Sequence, residues 1–329
     1  MSKQAPSKAA VSAAAVIRPH DAMVEAVRVV MARQYIVMRT NEAGCRQGQD
    51  DAAIHDMRVA IRRLRVAFRL FSGYYRRTIT HALEQELRQA GRALGAVRDF
   101  DVLTRDARAY LAAADKGQRG DLQPLLAHWK EQRQKAHRQL VAYLDSGAFK
   151  HLLDELQTFT ATPGAAVAGQ TPRVGEPYQV RHVLSSLIWA RYEAVRAYET
   201  VLADAPPAVW HALRIECKYL RYVLEFFQEV LGSDTPALIA QIISVQDHLG
   251  NLQDAEVAGH RLVEFLALAY RRQAAAETPF AVDLFGVTSY HRGRREAVRS
   301  LMADFPPVWA LVGGVKFRRR LAAALETLL

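Results

Sequence analysis

The chain has 329 residues, with 44 lysines and arginines against 34 acids, a net charge of +10 and a hydrophobic fraction of 50%. That is long enough for two domains, or two halves sharing a core, with apolar residues enough to fill it, and the charge points to an anionic partner: nucleic acid, an acidic membrane surface or a phosphate polymer. Two cysteines, Cys45 in a loop-like stretch and Cys217 on an apolar helix face, are too few for a disulfide framework and fit a reducing cytosol. No apolar run is long enough to span a membrane, and the N-terminus lacks the apolar stretch of a signal peptide.

Residues 1–16, rich in Ala, Ser and Lys, read as a disordered tail. Helical periodicity follows near residues 20–40, 52–77, 80–114 and 121–158. It lapses at TATPGAAVAGQTPRVGEP, residues 160–177, where Pro and Gly mark a linker. Beyond it come segments near 179–203, 207–231, 235–276 and 290–326, the last interrupted at FPPVWALVGG. No strand-like alternation competes. The expected fold is all-α, with two four-helix bundles at 17–159 and 178–329 related by a pseudo-twofold axis.

That relation rests on an internal repeat. HDMRVAIRRLRVAFRLF from His55 recurs as HALRIECKYLRYVLEFF from His211, matching His55 with His211, Arg58 with Arg214, Arg62 with Lys218, Arg65 with Arg221 and Phe71 with Phe227. A second block follows each copy: LGAVRDFDVL from Leu94 and LGNLQDAEVA from Leu249. These align Gly95 with Gly250, Asp99 with Asp254 and Asp101 with Glu256. Two matched blocks in one order indicate duplication.

In the first copy Ile54, Met57, Ile61, Leu64, Phe68 and Phe71 form the buried stripe of an amphipathic helix. One step round lie His55, Arg58, Arg62, Arg65 and Arg69, a basic ridge roughly 21 Å long. The second copy sets His211, Arg214, Lys218 and Arg221 above its own stripe, and Glu225 ends that ridge earlier. Arginines on a helix usually decorate a solvated face and pair with acids three or four residues away. From His55 to Arg77, however, seven arginines face one acid, Asp56. A surface built to hold a polyanion is the favoured reading, with the two ridges facing across a central groove or tunnel. Arg33 and Arg191, on the opening helices, are further candidates, as is Arg98 in the second block.

The pattern His-x-Met/Leu-Arg-x-x-x-Arg/Lys-x-Leu-Arg, followed by Leu-Gly-x-x-x-Asp-x-Asp/Glu, resembles the CHAD family, the conserved histidine α-helical domain, from about residue 17 to the C-terminus. The resemblance implies a pair of four-helix bundles around a basic cavity that binds inorganic polyphosphate. It would make His55, Arg58, Arg62, Arg65, His211, Arg214, Lys218 and Arg221 the phosphate ligands. Lys218 and Tyr219 depart from the paired Arg62 and Arg63, and Gln253 stands where the first half has Arg98.

The chemistry agrees with that ligand. Polyphosphate carries about one charge per phosphate along a thin strand, so it needs closely spaced cations and no base-reading groups. Guanidinium suits phosphate oxygens. Asp99, Asp101, Asp254 and Glu256 could hold the arginines extended from behind, or serve as interhelical ion pairs that fix packing. Gly95 and Gly250 are read as points of close helix contact or a local break. Arginines occupy the positions where partners of a His metal site would stand, so no metal site is expected.

No phosphate loop, dinucleotide fingerprint, HExxH or nucleophile elbow is present, nor the Glu-x-Glu-x-Lys strand of the CYTH triphosphatases to which CHAD domains are sometimes fused. The expectation is a cytoplasmic, non-enzymatic polyphosphate binder without a cofactor, associated with polyphosphate granules and their proteins. The rivals are a DNA- or RNA-binding protein using the same charge, and a granule adaptor using FRRRLAAALETLL as an amphipathic contact.

Overall fold

The computed structural model describes residues 13–49, 51–113, 121–164, 166–168, 176–202, 205–275 and 284–328. Among them the ordered elements are helical, and extended pairing is limited to two isolated bridges, Ala22 with Gln179 and Tyr75 with Val167. The first half contains α1 (Met23–Gln47), α2 (Asp51–Leu70), α3 (Arg77–Ala113), α4 (Gln123–Leu144) and α5 (Gly147–Ala161). The second contains α6 (Val180–Arg196), α7 (Pro207–Phe226), α8 (Thr235–Ala274), α9 (Phe285–Ala303), α10 (Phe305–Gly313) and α11 (Val315–Glu326). No helix among the described residues is long and apolar enough to cross a membrane.

The helix ends depart from the periodicity in instructive ways. The expected segment 121–158 is two helices, because the chain breaks at Asp145 and restarts with Ser146 as N-cap, its hydroxyl accepting from Phe149 N at 3.3 Å. FPPVWALVGG, expected as an interruption, is mostly α10, with prolines in its first turn where no intrahelical donor is needed. α1 continues past residue 40 to Gly48, whose φ of 67° closes the helix. A side chain at Gly48 would strike His137, which contacts Cys45 O at 3.0 Å. Cys45 therefore lies buried on α1 rather than in a loop.

Residues 1–12 of the expected tail lie outside the described residues. The Ala13 and Ala15 carbonyls accept from Arg33 at 3.2 and 2.7 Å, so the structured part begins inside that span. Within the expected linker, residues 165 and 169–175 lie outside the description. The rest is partly docked: Arg76 N donates to Ala166 O at 2.7 Å and Ala168 N to Tyr74 O at 3.1 Å.

Equivalent positions of the two halves touch each other, as residues beside a twofold axis do. Ala22 and Gln179, each just before its half's opening helix, form an antiparallel bridge. Phe71 and Phe227, each just after its motif helix, stack edge to face with ring centroids 5.9 Å apart. One large core runs through both halves, including Ile54, Met57, Leu64, Leu213, Leu220 and Leu224. A second cluster joins α3 and α4 to α8 and α9 through Leu103, Trp129, Leu262, Phe265 and Tyr290. The C-terminal FRRRLAAALETLL buries Phe317, Leu321, Leu325 and Leu328 in the main core, so its apolar face is already taken within the chain.

Candidate anion-binding site

The repeated order of the two blocks becomes a physical contact in the fold. A side chain at Gly95 would begin 3.6 Å from Arg58 Nε, and one at Gly250 would begin 3.4 Å from an Arg214 terminal nitrogen. Each glycine on a long helix thus leaves a flat seat for the guanidinium of the motif helix. Asp99, one turn after Gly95, lies 3.7 Å from Arg58, and Asp254 occupies the same place beside Arg214. Burial pushes both guanidiniums down from the usual arginine range, more than Asp99 and Asp254 lift them. An added methyl group would make only ordinary contact, and alanine gains helix stability over glycine of up to about 1 kcal/mol per site. We expect Gly95→Ala with Gly250→Ala to unfold at higher denaturant with anion binding retained, and the paired leucine variants, which fill the seats, to lose binding.

Between these seats the two ridges merge. Lys218 is lowered to about 7 by burial first and then by Arg214, Arg62, Arg58 and Arg221. Arg62 donates from Nε to Tyr222 Oη across the halves at 2.7 Å. The buried Tyr222 ring lies under three guanidiniums, Arg62, Arg63 and Arg221. Glu225 binds Arg63 of the other half and sits 3.4 Å from Arg221. It therefore ties the ridges together besides ending one of them. Arg63, missing from the sequence-based set, is part of this junction.

The motif histidines both approach the same position on a long helix. His55 is held below the usual imidazole range by burial and then by Arg98. His211 Nδ1 lies 2.6 Å from the Gln253 amide oxygen. Gln253 replaces Arg98, so the second half keeps the contact and drops the charge.

Arg65 lies 3.8 Å from where a Gly91 side chain would begin, and burial followed by Arg88 depresses it. Arg88 and Arg92 therefore extend the basic surface along α3, as Arg69 does above Tyr219. Their counterparts in the second half are Ile243 and Asp247.

Other expected members are engaged elsewhere. Arg33 is bound to Glu229 at 2.9 Å and to the carbonyls of Ala13 and Ala15. Arg191 faces Glu216, 3.6 Å away. Asp101 does not back the ridge: it is almost fully buried and bound by Arg133 of α4 at 2.5 Å. Glu256 lies near His211 and His260 rather than behind an arginine. Removing Arg133 strands a buried carboxylate, so Arg133→Ala should cost about 3 kcal/mol in denaturant unfolding.

The CHAD family model matches residues 29–263, spanning both copies of both blocks. The chain belongs to the CHAD family. No curated protein sequence matches it significantly. The fold of this CHAD domain is similar to the crystal structure of the CHAD domain from the plant Ricinus communis, with a TM-score of 0.65 at 24% identity over 98% of each chain. It is also similar to PptA from Streptomyces chartreusis, with a TM-score of 0.63 at 15% identity over 88% of this chain and 99% of that one. At such identities the likeness concerns the fold. The family match stops before α9, so α9, α10 and α11 lie outside it.

Proposed function

We propose that this CHAD domain binds inorganic polyphosphate in a basic groove where the two motif helices meet. His55, Arg58, Arg62 and Arg65 come from one copy, and His211, Arg214, Lys218 and Arg221 from the other. The carrying observation is Lys218, itself buried and pressed among four arginines, of which burial has partly desolvated Arg58 and Arg214. Such crowding opposes folding, and a polyanion would relieve it. Linear phosphate fits because guanidiniums supply paired donors at short intervals.

Nucleic acid is disfavoured because Tyr219 and Tyr222, the aromatic residues beneath the arginines, are buried and offer no open face for a base. In this reading the protein is a binder and not an enzyme, acting in the cytoplasm at polyphosphate granules. The test is displacement: immobilised protein should retain labelled long-chain polyphosphate against mixed-sequence DNA at equal phosphate concentration and release it to unlabelled polyphosphate. Equal displacement by DNA would make the surface a general polyanion binder.

A further inference from the structure

Beyond the His55 end of the ridge, α3 and α4 part around a cavity of about 1000 Å3. Arg98, Arg105, Arg108, Lys130 and Arg133 reach its walls, against two carboxylates, Asp51 and Asp101. Both carboxylates are held by Arg133, at 3.1 and 2.5 Å. Arg105 contacts its neighbour Asp106 at 3.1 Å. Arg98, Arg108 and Lys130 form no ion pair among the described residues, so the cavity keeps an excess of uncompensated positive charge. Among the described residues its walls present no aromatic ring, which fits phosphate oxygens and not a nucleobase.

Arg98 joins this cavity to the ridge. It sits on α3 three residues after Gly95, the seat of Arg58, and beside Asp99, the acid facing Arg58. Electrostatically it acts on His55 on one side and on Asp101 of the cavity wall on the other.

The second half lacks this connection. Gln253 replaces Arg98, Val263 replaces Arg108, and Glu256 replaces the neutralised Asp101. Glu256 lines a cleft of about 500 Å3 between α8 and α9, and it lies within electrostatic reach of His211. Arg294, Arg295 and Arg299 also line that cleft, so the second half differs by losing the Arg98 link to the shared cluster and not by a shortage of positive charge.

We propose that the cavity between α3 and α4 is a second anion subsite, which receives the continuing phosphates of a long linear polyphosphate once they have passed Arg58 and Arg98. This rests on the polyphosphate reading. It makes affinity depend on chain length: tripolyphosphate occupies the shared cluster alone, whereas long chains also engage Arg105, Arg108 and Lys130.

The test is the triple variant Arg105→Ala, Arg108→Ala, Lys130→Ala, titrated beside wild type with tripolyphosphate and with long-chain polyphosphate across a salt series. All three side chains are exposed, so the fold should be kept. For the long chain the slope of log affinity against log salt should become shallower by about 2, at about 0.7 per lost phosphate contact, with tripolyphosphate affinity unchanged. Equal losses for both ligands, or no loss for the long chain, would overturn the subsite while leaving the shared site standing. If wild type binds neither ligand, the functional reading fails, and the subsite with it.

Discussion

Arg58→Ala combined with Arg214→Ala is expected to weaken polyphosphate binding by about a hundredfold or more, since each removes a charge-assisted contact of about 1.5–3 kcal/mol. Little stability should be lost. Each guanidinium is partly buried and beside like charges, with one carboxylate nearby at 3.7 Å in the case of Arg58. Removing it relieves repulsion on Lys218. Calorimetric titration and thermal unfolding of the same sample check both parts. A double variant that binds as tightly as wild type would remove these residues from the site. A large drop in melting temperature would instead make them structural.

The second large effect is in pH. The free protein holds Lys218 at about 7, far below the usual lysine range, because burial and four arginines oppose its charge. Bound polyphosphate would favour the charged amine and raise that value. Below pH 7 the amine is protonated in both states, and binding takes up no proton there. Above pH 7 it is neutral in the free protein, so binding must take up a proton. Affinity should fall roughly tenfold between pH 7 and pH 9, with proton uptake visible as buffer-dependent heat.

Stability should move the other way. The unfolded chain holds the lysine proton between pH 7 and the usual lysine pKa while the folded chain does not, so this group adds stability as pH rises through that window. Lys218→Met should flatten both profiles. A pH-independent affinity in wild type would show that Lys218 does not meet the ligand.

The ridges were legible in the sequence because helical spacing and a repeated order of residues survive in one dimension. Arg58 and Arg62 do act on Lys218 and Arg214 across the halves, whereas His55 and His211 are each engaged within their own half. The purpose of Gly95 and Gly250 was not legible, since a seat for a guanidinium exists only when two helices are docked. Asp101 and Glu256 align perfectly well by sequence, yet Asp101 is claimed by Arg133 from α4, an element with no role in the repeat pattern. Arg33 was lost to Glu229 in the same way, through a partner nearly two hundred residues away in sequence. The break between α4 and α5 hid behind strong apolar spacing on both sides. Its local signal was the Ser146 cap before Gly147.

The most direct test of the shared site is its stoichiometry. Titration of the full chain with tripolyphosphate at physiological salt should give one binding event per chain, weakened by Arg58→Ala and by Arg214→Ala alike, because both arginines act on one ligand. Two equal and independent events per chain, each abolished by only one of the substitutions, would mean that the two copies work separately and would contradict a common site.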